Sequence, residues 1–247
     1  MERLIESAPT DQASLARAAA LRRRLVELGV SKYNLRGRPL PQVSDDRKIL
    51  VVGQVEDDAS ILKGAGAVAT NLQLLESVRT AAPDAYLIYK PHPDVEAGLR
   101  QGAVDPERLN QLVDDVADQV DVSDALDVVD EVWTITSLTG FEALLRGKTV
   151  VTFGVPFYAG WGLTVDLGEI PDRRRARPSL DSLVHAVLID YPMYRDPVSG
   201  LPCEVEVVLE RLVAGVGQAD AAGRLLTKLQ GAAASYAWLW RLERQTL

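Results

Sequence analysis

The sequence predicts an α/β fold in which a Rossmann-like parallel sheet is flanked by helical extensions at both ends of the chain. Short runs rich in β-branched residues alternate with helical patterns between residues 48 and 153. This alternation is typical of a parallel sheet that is covered by helices on both faces. The composition, 47% hydrophobic and 25% charged over 247 residues, is that of a globular protein with an ample core.

A leucine stripe predicts the first helix, at residues 12–28, with arginines on its opposite face. The stripe consists of Leu15, Leu21, Leu25 and Leu28. Residues 29–46 contain glycine, two prolines and several polar residues, and we expect them to form a connector.

The alternating region supplies the sheet and its covering helices. The predicted strands are 48–52, 85–89, 120–122, 131–136 and 149–153. The predicted helices between them are 68–80, 106–117 and 140–146. After Gly168 the pattern becomes mostly helical, beginning with a helix that Ser179 caps and that runs to about residue 191. Further helices are expected at 204–213, 219–229 and 232–244.

Charge and cysteine content exclude several classes of protein. The net charge of -8 argues against a nucleic-acid-binding protein, which normally has a basic face. The arginines at positions 173, 174, 175 and 177 form a basic run, and we interpret it as a solvated loop. The single cysteine permits no internal disulfide, and no apolar run approaches the length of a membrane-spanning helix. These features predict a soluble, cytoplasmic protein.

Four unusual segments follow predicted strands and indicate a functional site. They are residues 53–60, 89–94, 136–147 and 156–164, the last with the sequence Pro-Phe-Tyr-Ala-Gly-Trp-Gly-Leu-Thr. Three aromatic residues and two glycines without a regular apolar period are more than a simple loop requires. Because ligands bind beyond the carboxyl ends of parallel strands, we expect these segments to meet around one site.

His92 and Lys90 are the candidate phosphate-binding side chains of the second segment. Pro91 and Pro93 flank His92 and fix the backbone, so the imidazole is held in one place. The imidazole can then donate a hydrogen bond to a phosphate oxygen, and Lys90 supplies a second positive group. The alternative is a buried histidine whose hydrogen bonds are satisfied by a backbone carbonyl.

Ser137, Thr139 and Gly140 open a predicted helix and are candidates for an anion site. Unpaired amides and the positive end of the helix dipole favour a phosphate at such a position. The hydroxyl groups serve equally well as helix caps, and the sequence leaves both roles open. Glu142, one turn further on, either binds a ribose hydroxyl or places a favourable charge at the helix start.

Glu56, Asp57 and Asp58 are the candidate catalytic carboxylates. Three adjacent acids repel one another, so one of them can acquire a raised pKa and act as a base or a nucleophile. The alternative is a solvated acidic loop. No second acid or histidine cluster at ligand spacing accompanies them, so no metal site is expected.

Taken together and in this order, the segments resemble the KpsC family of capsular polysaccharide biosynthesis proteins, which are β-Kdo glycosyltransferases. The matching stretches are residues 31–34, 53–60, 89–95, 133–147 and 156–164, and the similarity extends over roughly residues 1–213. The segment Gln-Val-Glu-Asp-Asp at 54–58 is closest to the C-terminal transferase module of these two-module proteins.

The resemblance implies a fold, substrates and residue roles. The fold would be the C-terminal, donor-binding half of a GT-B glycosyltransferase, with CMP-Kdo as donor and no cofactor. The acceptor would be a Kdo-terminated, lipid-linked oligosaccharide. His92 and Ser137 would contact the donor phosphate, Lys90 and Glu142 would lie near the nucleotide, and Asp58 would be the catalytic carboxylate, with Glu56 and Asp57 as second candidates.

The resemblance also divides the chain. Residues 1–47 correspond to the last helix and linker of an acceptor domain, 48–200 to the nucleotide-sugar-binding domain and 201–247 to C-terminal helices. We expect an exposed leucine stripe on the first helix, and hence a partner chain that supplies the acceptor domain or a homo-oligomer. Besides a cytoplasmic location, we expect peripheral association with the inner membrane. A non-catalytic nucleotide-binding module of capsule assembly is the alternative function, and a nucleotide-sugar epimerase a third.

Overall fold

Six parallel strands form the central sheet. They are β1 (Lys48–Val52), β2 (Tyr86–Lys90), β3 (Asp115–Val116), β4 (Glu131–Thr134), β5 (Thr149–Thr152) and β6 (Val165–Asp166). Their order is β3-β2-β1-β4-β5-β6, and each neighbouring pair is parallel. The direction in which strands are added reverses between β1 and β4, which is where a ligand cleft is expected in such a sheet. The predicted α/β class is confirmed.

The computed structural model describes residues 1–29, 47–118 and 120–216. These residues belong to two units, one of residues 1–192 and one that begins at Met193. The predicted connector after Gly29 and the predicted helices at 219–229 and 232–244 lie outside the described residues.

Helices cover both faces of the sheet. In the first unit they are α1 (Glu2–Glu6), α2 (Gln12–Glu27), α3 (Ala59–Gly64), α4 (Asn71–Ala81), α5 (Pro93–Glu96), α6 (Pro106–Leu112), α7 (Val122–Val128), α8 (Leu138–Leu145) and α9 (Leu180–Val184), which continues as a π-helical segment, His185–Asp190. Among the described helices, none combines the length and apolar character that a membrane-crossing segment requires.

The described part of the second unit, residues 193–216, contains a small hairpin and one helix. The hairpin pairs β7 (Tyr194–Arg195) with β8 (Pro202–Cys203) in antiparallel register, and α10 (Val205–Val213) follows. Arg211 Nε lies 3.0 Å from Asp196 Oδ1 and ties the helix to the hairpin. The predicted helix at 204–213 is confirmed.

The apolar strand runs are buried on both faces, as a parallel sheet requires. Successive residues of β1 point to opposite sides, so Leu50 and Val52 join one hydrophobic core and Ile49 and Val51 join the other. All four are at most 5% exposed. Because neither face is left to solvent, the strand ends and the loops beyond them are the parts of the sheet that are available for function.

The leucine stripe of α2 packs within the chain. Leu21 is 3% exposed, Leu25 packs against the core that contains Leu50 and Val52, and Arg22 Nε binds Asp181 Oδ1 at 2.8 Å, which joins α2 to α9. The expectation that this stripe is exposed is therefore wrong. The stripe gives no support to the predicted self-association.

Aspartate side chains explain two misplaced elements. The predicted helix at 106–117 ends at Leu112, because Asp114 Oδ2 accepts hydrogen bonds from Leu87 N–H at 2.8 Å and Arg79 Nη2 at 2.7 Å and holds the chain extended beside β2. The predicted strand at 120–122 is also wrong. Asp121 instead caps α7 by accepting from Ser123 N–H at 2.7 Å.

Glu2 makes folding stability sensitive to acid. The hydrogen bond from Arg173, opposed by partial burial and reinforced by Arg174, lowers the pKa of Glu2 from 4.5 to about 2. Since the pKa is lower in the folded state, these ion pairs stabilise the fold fully above pH 4.5, and the stabilisation is lost as the pH falls toward 2. We expect Glu2→Gln to reduce the dependence of the unfolding free energy on pH across this interval, as measured by urea denaturation at a series of pH values.

Glu27→Gln is the matched control, because Glu27 pairs with Arg24 at 3.8 Å with both side chains more than half exposed. The unfolding free energy of Glu27→Gln should depend on pH in the same way as that of the wild type. An unchanged slope for Glu2→Gln would show that the Glu2 ion pairs do not govern acid stability.

Candidate functional site

A cavity of about 420 Å³ lies at the carboxyl ends of β1, β2 and β4. It coincides with the reversal of strand order between β1 and β4. Seven of the predicted site residues line it: Asp58, Lys90, His92, Pro93, Ser137, Thr139 and Glu142. Glu56, Asp57 and Gly140 are not among its lining residues. Side chains from three distant parts of the sequence thus meet at one edge of the sheet.

Lys90 is the last residue of β2 and is almost completely buried beside the cavity, with 4% of the residue exposed. Its Nζ donates a weak hydrogen bond of 3.4 Å to the carbonyl of Ala117. Burial lowers the pKa of Lys90, against the opposing effect of nearby Glu96, Asp121 and Asp118. An anionic ligand in the cavity would favour the charged form of this amine.

His92 is held by the start of α5. Its Nδ1 accepts a hydrogen bond of 3.2 Å from Asp94 N–H, and Pro93 occupies the first position of the helix. In the neutral imidazole this bond assigns the proton to Nε2. The buried-histidine alternative placed the partner at a backbone carbonyl, whereas here the imidazole accepts from a backbone amide. The backbone at the start of α5 therefore fixes Nδ1 of His92 as a hydrogen-bond acceptor.

Ser137 caps α8 at the cavity wall. Its Oγ accepts from Thr139 N–H at 3.2 Å, so the capping role that the sequence left open is present in the structure. The amide of Ser137 itself donates to Thr134 Oγ1 at 3.2 Å. Thr139 and Glu142 lie on the same helix and are 9% and 8% exposed. The start of an eight-residue helix therefore points its positive end toward the space that Lys90 and His92 border.

Each of the three adjacent carboxylates has a different partner. Glu56 Oε1 accepts from Asn71 N–H at 2.7 Å, and Asp57 Oδ1 forms an ion pair of 2.8 Å with Arg100 Nη2. Asp58 Oδ1 caps α3 by accepting from Ser60 N–H at 2.8 Å. Only Asp58 borders the cavity. The three acids therefore do not form one cluster of carboxylates, because each is held by its own partner.

Gly140 provides space inside the protein. A Cβ at this position would overlap the hydroxyl of Tyr158 and lie 2.8 Å from its Cζ. Tyr158 is fully buried, its hydroxyl donates to the Ser137 carbonyl, and burial, followed by the charges of Asp166 and Glu142, raises the pKa of the phenol. The observed role of Gly140 is thus to let a buried phenol reach the start of α8.

The aromatic segment at 156–164 is mostly core. Tyr158 and Trp161 are at most 1% exposed, and of this segment only Phe157 borders the cavity. Gly160 and Gly162 have φ angles of 84° and 82°, which explains two glycines in so short a stretch. The interpretation that folding alone does not call for this composition is wrong.

Arg174 explains how the segment is held. It is 7% exposed, and its Nη1 donates to the carbonyls of Pro156 and Ala159, both at 2.7 Å. Its guanidinium lies 5.6 Å from the centre of the Trp161 ring. The interpretation of the arginine run as a solvated loop is therefore wrong for this residue.

Gln54 and Arg100 are among the polar residues that line the cavity without having been predicted from the sequence as site residues. Gln54 is 6% exposed and is the second residue after β1, and Arg100 reaches the cavity from the loop that follows α5. Gln54 belongs to the segment 53–60, which the sequence predicts to be part of the site. Its burial, however, depends on contacts with residues about eighty positions away in the chain. No local pattern around Arg100 indicates a site.

Comparisons with known proteins match most of the chain. A family model described as capsule polysaccharide biosynthesis protein matches residues 10–194. The capsule polysaccharide modification protein LipA of Neisseria meningitidis serogroup B is 44% identical over 214 residues, which are 86% of this chain and 30% of LipA. The lipopolysaccharide-processing protein LpsZ of Rhizobium meliloti is 44% identical over 212 residues, which are 83% of this chain and 48% of LpsZ. The chain thus spans less than half the length of either relative.

Two solved structures share the fold. The β-Kdo 2,7 transferase KpsC of Thermosulfurimonas dismutans superposes with a TM-score of 0.74 and 38% identity, covering 86% of this chain and 66% of that one. The β-Kdo 2,4 transferase KpsC of the same organism gives a TM-score of 0.75 and 29% identity, covering 86% and 67%. Sequence and structural similarity therefore point to the same group of proteins.

Proposed function

The chain belongs to the capsule polysaccharide biosynthesis protein family, and we propose that it transfers Kdo from CMP-Kdo to a Kdo-terminated, lipid-linked acceptor. The similarity to two KpsC Kdo transferases supports the transfer of Kdo. In this proposal the reaction takes place at a membrane surface, since the acceptor is attached to a lipid. The donor is the only small-molecule partner, and no cofactor takes part.

The cavity at the switch point of the sheet carries the proposal. It places the amine of Lys90, the imidazole of His92 and the amide-bearing start of α8 around one space. These are three sources of positive charge or hydrogen-bond donors, which suit the phosphate of a nucleotide sugar. They would also stabilise the CMP that leaves during transfer.

Asp58 supplies the acid–base or nucleophilic group in this proposal. If its carboxylate attacks the anomeric carbon, a glycosyl–enzyme forms, CMP leaves, and the acceptor hydroxyl then displaces Asp58 with net retention. If Asp58 instead removes the proton of the acceptor hydroxyl, one displacement inverts the centre. The anomeric configuration of the product distinguishes the two routes.

The direct test is to measure CMP release from CMP-Kdo in the presence of a Kdo-terminated acceptor. Release that depends on the acceptor supports the proposal, and absence of turnover contradicts it. A non-catalytic nucleotide-binding module is the second candidate, favoured by the structural contacts that all three candidate carboxylates make. Calorimetry separates the two, because CMP binding without transfer is expected only of the second.

His92→Asn should weaken CMP binding about tenfold, since one hydrogen bond to a charged phosphate contributes about 1.5–3 kcal/mol and part of it is replaced by water. The amide oxygen of asparagine can still accept from Asp94 N–H and keep the cap of α5, so the midpoint of thermal unfolding should change little. His185→Asn is the control, because His185 pairs with Asp190 at 3.0 Å and does not line the cavity. Unchanged CMP affinity in His92→Asn would assign His92 a purely structural role.

A further inference from the structure

Gln54 forms a buried bridge between two walls of the cavity. Its Oε1 accepts hydrogen bonds from Thr136 N–H at 2.8 Å and from the hydroxyl of Thr134 at 3.2 Å. Its Nε2 donates to Thr136 Oγ1 at 2.9 Å. The backbone pairing of β1 with β4 ends at Val52 and Thr134, so the Gln54 side chain extends the connection between these segments beyond the strands.

Asn71 holds the backbone of Gln54 from the other side. Asn71 Oδ1 accepts from Gln54 N–H at 2.9 Å, and Nδ2 donates to the carbonyls of Gln54 and Gly102, both at 2.8 Å. Asn71 is 1% exposed, and its backbone N–H donates to Glu56 Oε1. The loop that carries the acids, residues 53–58, is therefore fixed to the start of α4. We call it the acid loop.

Thr134 passes the connection on to α8. Its hydroxyl hydrogen points to Gln54 Oε1, and its oxygen accepts from Ser137 N–H at 3.2 Å. Ser137 in turn caps α8. A continuous path of hydrogen bonds, buried at Gln54 and partly buried at Ser137, thus runs from the acid loop, through the Gln54 side-chain amide, to the helix start that borders the cavity.

We propose that Gln54 is a positioning residue that sets the distance between the acid loop and the start of α8. The donor phosphate at α8 and the acid at Asp58 must be aligned closely for transfer, and small displacements lower the rate strongly. A fully satisfied buried network is suited to fixing such a distance. This inference rests on the proposed function for the identity of the ligand.

Two buried threonines provide the test. Thr134 and Thr152 are register partners on adjacent strands, both are fully buried, and each hydroxyl makes side-chain hydrogen bonds. Thr134 is connected to Gln54, whereas Thr152 binds Asp166 at 3.2 Å, and neither threonine lines the cavity. Thr134→Val and Thr152→Val therefore remove similar groups, and only the first interrupts the path.

Calorimetry with CMP and assays with CMP-Kdo give the expected results. Thr134→Val and Gln54→Met should each weaken CMP binding about tenfold and lower kcat, and the double variant should lose little more than the worse single variant. Thr134→Ser, which keeps the hydroxyl, should restore CMP affinity. Thr152→Val should lower the unfolding midpoint while leaving CMP affinity and kcat unchanged. Equal effects of the two valine variants, or fully additive losses, overturn the proposal.

A ligand-independent measurement keeps this inference separate from the proposed function. Gln54→Met should speed hydrogen exchange at the Ser137 amide about tenfold relative to Thr152→Val, because Thr134 loses its partner. If the wild type binds no CMP, the proposed donor is wrong, and this exchange rate alone decides the role of Gln54. Exchange at Ser137 that is the same in both variants overturns that role.

Discussion

Asp58→Asn is expected to lower the rate of Kdo transfer by about 10²–10⁴, the range in which a positioned acid–base group contributes. Asparagine is as good a helix cap as aspartate, and its amide oxygen can still accept from Ser60 N–H. The unfolding free energy and the CMP affinity should therefore stay close to those of the wild type. Transfer is measured as acceptor-dependent CMP release, and stability by urea denaturation.

The neighbouring acids provide the controls for this variant. Glu56→Gln keeps an oxygen that can accept from Asn71 N–H, and Asp57→Asn weakens only a partly exposed ion pair with Arg100. Neither carboxylate lines the cavity, so both variants should retain most of the activity. If Asp58→Asn remains active and one of the controls does not, the catalytic carboxylate is that other residue.

The parts of the fold that follow from local pattern were predictable from the sequence. Short apolar runs predicted the strand at 48–52 and the first residues of β4 and β5, because a strand buried on both faces has little choice of residue. The meeting of Asp58, His92 and Ser137 at one cavity followed from the rule that parallel strands end at the same edge. Neither inference needed knowledge of a distant contact.

The remaining features depend on distant contacts that a local pattern does not contain. The two-residue strand β3 is too short to produce a periodic signal, and it exists because Asp114 binds the backbone of β2. In the sequence Gln54 resembles an ordinary loop residue, and only its hydrogen bonds with Thr134 and Thr136 in the fold identify it as a buried side chain. The same reason explains why Arg174, within a run of arginines, could not be recognised as buried.

Arg174→Met should destabilise the first unit by about 3 kcal/mol, because the buried carbonyls of Pro156 and Ala159 lose their donor at about 1–3 kcal/mol each, partly offset by apolar burial. Arg173→Met is the matched control. Both arginines bind Glu2, but the side chain of Arg173 is 67% exposed and that of Arg174 is 5% exposed, so Arg173→Met should destabilise the protein much less. Urea denaturation measures both.

The same pair of variants shows what the aromatic segment contributes to the site. Phe157 borders the cavity and the Tyr158 hydroxyl binds the Ser137 carbonyl, so a segment that Arg174 no longer holds should also weaken CMP binding in the folded protein. Equal destabilisation by Arg173→Met and Arg174→Met would mean that Glu2, which the two arginines share, dominates. In that case the hydrogen bonds to the segment would contribute little. A larger loss of stability for Arg174→Met than for Arg173→Met, together with weaker CMP binding, would show that the segment stabilises the cavity wall.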